Sequence, residues 1–244
     1  MMNWHERYLQ QAAWTRDLRE YLFKQAGLSN ADAVLEVGCG TGAILSSLQT
    51  PAAIHGLDTD ASALCECHAH ASTVCLTRGD ARYLPYRSGS FDIVFCHFLL
   101  LWIKEPLKAI FEMKRVTKSK GHIIAFAEPD YTSREDQPEQ LAALGKWQIE
   151  SLKRQGADIR LGARLAELFH QAGIRIVETG AIQSRSPEAL DLDEWKKEWA
   201  VVESDLTGLV AKEEIQKMKH LDEDARVRGT RVLNVPTYFA WGQV

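Results

Sequence analysis

The sequence contains no apolar run of about 18 residues, the length a helix needs to cross a bilayer. Its opening, Met1-Met2-Asn3-Trp4-His5-Glu6, lacks the apolar core of a secretory signal. A cytoplasmic protein without a membrane partner is therefore expected. Cysteine is sparse: five residues, an odd number with no secretory context, read as reduced thiols rather than as a disulfide framework. Blocks of like charge are also missing, and 29 Lys and Arg against 33 Asp and Glu leave a formal net charge of -4. Duplex nucleic acid requires a basic footprint, so it is excluded as a substrate. No internal repeat or low-complexity stretch interrupts the chain. Metal-ligand spacing is lacking too. Cys65-Glu66-Cys67-His68-Ala69-His70 holds four soft ligands, but on a helix 65 and 68 share one face and 67 and 70 another. With no second ligand pair at zinc-finger spacing, no metal is expected.

What is present is an ordinary 45% hydrophobic, 25% charged composition over 244 residues, enough for one large α/β domain. Its most informative segment is Val34-Leu35-Glu36-Val37-Gly38-Cys39-Gly40-Thr41-Gly42. The apolar run reads as a buried parallel strand, and the alternating glycines allow positive φ and a close backbone approach to a ligand. Ala43 to Leu48 has the composition of a helix, which would complete a strand, turn and helix N-terminus shaped for a nucleotide. Gly38, Gly40 and Ala43, with Asp58 about 20 residues on, also satisfy a dinucleotide-binding pattern.

The surrounding residues separate the two readings. Glu36 sits inside the first strand, where a pyrophosphate gains nothing from negative charge but the ammonium of an amino acid would. Ala53 to Asp58 is a second strand ending in an acid, and Val74 to Ala81 a third ending in Gly79-Asp80-Ala81. Phe91-Asp92-Ile93-Val94-Phe95-Cys96 is a fourth, running into His97-Phe98-Leu99-Leu100-Leu101-Trp102. In this order the segments closely resemble the class I S-adenosylmethionine-dependent methyltransferases, specifically over about residues 30 to 130 and more loosely over 160 to 182 and 230 to 244.

The resemblance implies S-adenosylmethionine as cofactor and S-adenosylhomocysteine as product. It implies that Glu36, Gly38, Cys39, Gly40 and Gly42 form the turn at the methionine and ribose part, with Asp58 and Thr59 at the ribose. Asp80 would meet the adenine amino group and the Ala81 backbone a ring nitrogen, while Cys96 and His97 would line the methionine end. An ionised carboxylate is an acceptor-only group suited to a ribose diol; alone, Asp58 could equally cap the helix beginning at Ala61. Asp92 is expected to support the structure. Asp60 stands where relatives often carry serine or asparagine.

The implied fold is α/β, a three-layer Rossmann-like sandwich with a seven-stranded, mostly parallel sheet whose seventh strand is antiparallel beside the fifth. Helical spacing marks 106–116 and 162–173, and strands are expected over 121–128, 174–181 and 231–241. The whole of 1–244 would be a single domain with three additions. An N-terminal helical cover over 1–29 offers Trp14 and Thr15 toward the cofactor, with Arg16 or Arg19 near a carboxylate. Helical lid insertions occupy 131–160 and 184–229, the natural place for a substrate site. The lid tryptophans Trp147, Trp195 and Trp199 fit packing or substrate contact.

The implied chemistry is in-line transfer of a methyl group to O, N, S or C of a small-molecule acceptor, driven largely by positioning. His97 is the first candidate base, before Glu128, Asp130 and Tyr131, and the alternative is that His97 packs or shapes the pocket. A cofactor-binding or regulatory protein without turnover is the second reading. A nicotinamide-dependent oxidoreductase is the third, against which Glu36 and Gly79-Asp80-Ala81 stand.

Overall fold

Strand β1 (Ala33–Val37) lies at the centre of the sheet, with Val34, Leu35 and Val37 all fully buried. Such side chains stabilise by about 1.5–3 kcal/mol each. Together they offset the roughly 2–7 kcal/mol that burial of the polar Glu36 among them costs. The Asp92 carboxylate fixes where the strand begins, accepting from the backbone N–H of Asp32 (2.9 Å) and Ala33 (3.0 Å) and from Lys118 Nζ (2.8 Å). The structure is a computed structural model, and residues 3–183 and 191–244 are described. Residues 184–190, including the expected start of the second insertion and Leu190, lie outside the described residues, as do Met1 and Met2.

Parallel strands β2 (Ala53–Asp58), β3 (Cys75–Arg78), β4 (Phe91–Cys96) and β5 (Thr117–Pro129) join β1. After a short strand β6 (Glu135–Gln137), β7 (Arg175–Ile182) forms the far edge; β8 (Val232–Asn234) pairs with β6 in a separate two-stranded sheet. The last strand, β9 (Thr237–Gln243), runs antiparallel between β5 and β7, giving the order β3-β2-β1-β4-β5-β9-β7. This is the seven-stranded Rossmann-like sheet expected, with its topological switch between β1 and β4. Ligands of open α/β sheets bind outside the strands' C-terminal ends at such a switch.

Two helical layers cover the sheet. On one side pack α1 (Trp4–Trp14), α2 (Arg16–Gln25) and α3 (Ala61–His70), burying Leu22, Phe23, Leu64 and Cys67. On the other are α4 (Pro106–Val116) and, later in the chain, α6 (Leu161–Gln171), burying Ile110, Met113, Leu165 and Phe169. Asp60 caps α3, accepting from Ser62 and Ala63, so Asp58 does not serve as that cap.

Three expected elements differ. Ala43 to Leu48 forms no α-helix but one 3₁₀ turn, Leu45–Ser47. Gly42 at φ +80°, two serines and Pro51 favour turns over helix, and burial of Ile44 and Leu45 fixes the loop by packing. The helix N-terminus expected at the glycine turn is therefore absent. The strand expected over 231–241 breaks around Pro236, which has no N–H to donate, into β8 and β9. The N-terminal helix breaks at Thr15 (φ -110°, ψ 9°) into α1 and α2.

The insertions form α5 (Ala142–Arg154), α7 (Leu192–Leu206) and α8 (Lys212–Val227). They share an apolar cluster holding Leu144, Trp195, Trp199, Leu206 and Met218. Within the charged run Lys212 to Arg228, Asp222 and Arg226 are buried. Asp222 accepts from the indole N–H of Trp195 (2.8 Å) and Trp199 (2.9 Å), from Arg226 (3.1 Å) and from Arg231 (2.6 Å). Arg231 also reaches Asp136 (3.0 Å), which pairs with Arg134 (2.6 Å). Five buried charges thus tie α7 and α8 to the segments carrying β6 and β8. Breaking such a network from one side leaves uncompensated buried cations. Asp222→Asn is expected to cost about 3–5 kcal/mol of stability, read as a lower urea midpoint with early dequenching of the lid tryptophans. A midpoint equal to that of the unsubstituted protein would mean the network contributes nothing.

Candidate active site

Three cavities open along the C-terminal edge of the sheet. The first, about 420 Å³, is lined by Gly38, Asp58, Thr59, Gly79, Asp80 and Ala81 together with Leu99 and Trp102. The second, about 180 Å³, adjoins it through Gly38, Asp58, Leu99 and Trp102, and adds Tyr8, Glu36, Cys39, Gly40, His97 and Phe98. The third, about 430 Å³, lies between α1, β5 and the insertion helices, and shares Phe98 with the second.

The glycine turn is held by Gly38 and Cys39 N–H, which donate to Leu57 O at 2.7 and 3.0 Å. Gly38 has φ +75°, a conformation that favours glycine, and a Cβ there would press on Leu99 Cδ1 at 2.6 Å. Asp58, at the end of β2, accepts from Gly40 N–H (2.8 Å) with one oxygen and from Asp60 N–H (3.0 Å) with the other. Each oxygen keeps a further lone pair for a ligand. Asp80 is chelated by Arg82 (2.7 Å for the shortest contact), which holds its carboxyl below the usual range; Arg82 also reaches Glu105 at 3.2 Å.

Glu36 is 3% exposed, lines the second cavity, and its Oε2 is buried without a hydrogen-bond partner. Burial pushes its carboxyl well above the normal range; the nearby Arg19 charge pulls the other way. Arg19 is the arginine that turns inward, donating to Thr15 Oγ1 (3.1 Å) and Ala12 O (2.7 Å), while Arg16 is exposed. Thr15 also hydrogen-bonds His97 Nε2 at 2.9 Å. Burial, aided by Arg19, lowers the His97 imidazole to about 3. His97 is thus neutral at physiological pH and bound to a threonine.

Several expected residues stand elsewhere. Cys96 is fully buried in the apolar core beneath β4 and lines none of these cavities. Its side chain takes the inward face of the strand, the opposite of a ligand-lining position. Gly42 faces Cys67 Sγ, where a Cβ would come within 2.5 Å, and so serves packing against α3. Trp14 lines the third cavity rather than the second. Glu128 is spoken for: its carboxylate accepts from the backbone N–H of Leu99 (3.1 Å), Leu100 (2.8 Å) and Leu101 (3.1 Å). Burial raises it to about 7 against the pull of those three donors. Asp130 caps the turn after β5 through Thr132 and Ser133, leaving Tyr131 alone of that group on the third cavity. Of the lid tryptophans, Trp195 and Trp199 are buried in helix packing, and Trp199 also forms cavity wall.

Residues not singled out in sequence complete the site. Tyr8 covers the turn at Gly40, one α1 turn after His5, whose ring bonds Thr41 Oγ1 at 2.8 Å. The helical spacing of His5, Tyr8 and Ala12 is the signal that could have marked this face. Phe98 has φ +50°, uncommon for an aromatic residue, and its N–H donates to Ala127 O at 3.0 Å. Its ring stands between the second and third cavities. No pattern in sequence announces such a backbone.

Residues 35–125 match the family model described as "Methyltransferase domain". The chain is 32% identical over 133 residues to a demethylmenaquinone methyltransferase of Lactiplantibacillus plantarum, covering 50% of this chain and 54% of that one. It is 30% identical over 118 residues to a malonyl-[acyl-carrier protein] O-methyltransferase of Erwinia pyrifoliae, covering 48% and 45%. The chain thus spans about half the length of these curated relatives. A crystal structure from Bacillus halodurans C-125 superposes with a TM-score of 0.63 at 14% identity, over 92% of this chain and 97% of that one, a likeness of fold. Residues 35–125 thus match a methyltransferase domain, and the chain built around them has a Rossmann-like fold shared with that solved structure.

Proposed function

We propose that the protein binds S-adenosylmethionine across the first two cavities and transfers its methyl group to a small, mainly apolar molecule in the third. The observation that carries this reading is Glu36, a buried carboxyl oxygen without a partner on the wall of the second cavity. An orphaned buried acceptor costs stability unless a ligand satisfies it. The ammonium of a methionine moiety supplies N–H donors and a compact positive charge on one atom, a pairing that a nicotinamide dinucleotide does not present. Asp58 and Thr59 would hold the ribose, and Asp80 and Ala81 the adenine, with Asp80 kept ionised by Arg82. Cys39 and Gly40 line the turn beside them.

The bound cofactor supplies an activated methyl on sulfur. The chain's own residues orient it, exclude water and present the acceptor. Tyr8 closes the methionine side, whereas Trp14 and Thr15 line the acceptor side, from which Thr15 holds His97. Phe98 forms the partition through which donor and acceptor would meet. His97 acts as a positioning group: an imidazole lowered to about 3 and engaged by Thr15 is a poor proton acceptor at neutral pH. Phe98, Trp199, Val202 and Leu233 make the third cavity largely apolar, and Arg7 and Tyr131 add polar edges. Helices α5, α7 and α8 would form the lid over it. The two curated relatives are named for a quinone and for an acyl carrier protein, so the acceptor's identity does not follow from likeness.

Calorimetric titration with S-adenosylmethionine, S-adenosylhomocysteine and NADH tests the cofactor, followed by release of S-adenosylhomocysteine over a panel of apolar phenols, acids and amines. Binding of NADH alone would overturn the proposal. Asp58→Asn replaces half of an acceptor-only group with a donor, and cofactor affinity is expected to fall by about 1.5–3 kcal/mol, roughly 10- to 150-fold. Glu36 gives a pH signature. Its pKa is raised in the folded protein, so the neutral form contributes stability at low pH that is lost as pH rises through that value. Glu36→Gln should therefore stabilise the ligand-free protein above neutral pH while weakening cofactor binding at least about tenfold, about 1.4 kcal/mol. In the unsubstituted protein, affinity should increase as pH rises through the Glu36 ionisation, and in Glu36→Gln that dependence should vanish. An unchanged dependence would show that Glu36 does not meet the ammonium.

A further inference from the structure

Away from these cavities, α1 lies against the C-terminal end of α3 and brings His5 to two side chains of α3, Glu66 and His70. The imidazoles of His5 and His70 stack with centroids 3.7 Å apart and 6° between planes. His70 Nε2 lies 3.9 Å from Glu66 Oε1, one turn earlier on α3. One ligand atom from each of His5, Glu66 and His70 lies within 4.8 Å of the other two. We propose that His5, Glu66 and His70 form a site for a divalent transition metal, zinc in the first place, that fastens α1 against α3 and the glycine turn.

The donor set is chemically apt. Two imidazoles and one carboxylate leave a fourth, water-filled position on a tetrahedral zinc ion, and suit it better than the oxygen-preferring magnesium or calcium. Glu66 and His70 are four residues apart and face the same side of α3. His5 comes with an outer partner already in place. The Thr41 hydroxyl, 2% exposed, bonds Nδ1 at 2.8 Å and leaves Nε2 as the open nitrogen.

Binding requires one rearrangement. Stacked rings point their lone pairs in parallel planes, whereas ligands at about 2.0–2.1 Å from one ion must converge on it. His70 has a 40% exposed side chain and can rotate, while His5 is held by Thr41. Metal binding should therefore break the stack, a change visible in the imidazole proton resonances.

The consequence reaches the glycine turn. Tyr8, one turn after His5, covers Gly40, so fixing α1 fixes the wall of the cavity that contains Glu36. The metal site stands independently of the methyltransferase reading; only an effect on S-adenosylmethionine affinity rests on it.

The test is calorimetric titration of chelator-treated, full-length protein with Zn²⁺, paired with Co²⁺ absorption spectra. The expected result is one equivalent bound, weakened at least about tenfold in both His5→Ala and His70→Ala, about 1.4 kcal/mol. His68→Ala and Cys65→Ser, on other faces of α3, should bind as the unsubstituted protein does. Tryptic cleavage at Arg7 and Arg16 should slow with zinc in the unsubstituted protein and not in His70→Ala, with circular dichroism verifying that the variant is folded. Binding that survives in both histidine variants, binding lost in the controls instead, or no binding at all overturns the site. Zinc binding without any response to S-adenosylmethionine would overturn the methyltransferase reading and leave the metal site standing.

Discussion

A carboxyl group held on a strand that is paired along both edges and buried on both faces is the constraint around which the site is built. Glu36 sits opposite Gly56 on β2 and Phe95 on β4, in the middle of the parallel sheet. No neighbouring donor among the described residues reaches its Oε2, and the nearby positive charge is Arg19, itself anchored by Thr15 and Ala12. The apolar neighbours on β1 carry the cost of keeping it there. The break between α1 and α2 at Thr15 follows the same logic, because that turn brings Arg19 and His97 to the pocket's edge.

A second buried carboxylate shapes the chain where β4 ends. Glu128 gathers three successive backbone N–H groups, from Leu99, Leu100 and Leu101, which would otherwise be stranded beneath the insertion helices. That clamp lets Phe98 persist at a positive φ, a conformation that costs about 1–3 kcal/mol and that surrounding structure must over-determine. The strained residue and the clamp together set the partition between the second and third cavities. A glutamate at a strand mouth thus has a structural task as consequential as a catalytic one.

The insertion helices are joined by charge as well as by apolar packing. Asp222 and Asp136 between them satisfy Arg134, Arg226 and Arg231, with two indole N–H groups completing Asp222. Every member lies on the wall of the third cavity or adjoins it. The paired ions share that wall with apolar side chains such as Phe98, Val202 and Leu233.

The central motifs were legible because their physics is local. An apolar run followed by glycines gives β1 and its turn, acids at strand ends give Asp58 and Asp80, and helical spacing gives α4, α5 and α6. Hydrophobic periodicity says which residues are buried but not against what. The resemblance implied that Cys96 lines the pocket, yet it lies in the core, and Ala43 to Leu48 has the composition of a helix yet packs as a loop with one 3₁₀ turn. Charges hide their partners even better. Asp136 and Arg231 meet across 95 residues, and only the folded chain turns a charged run into a buried network. The same holds for His5. Judged on α3 alone, Glu66 and His70 lack a third ligand, and the packing of α1, decided by burial of Ala12 and the hydrogen bond to Thr41, supplies it. Sequence by itself determined the local signals of the strands and the acids at their C-terminal ends; tertiary structure decided which distant side chains share a site, because contact between them is a property of packing and not of spacing.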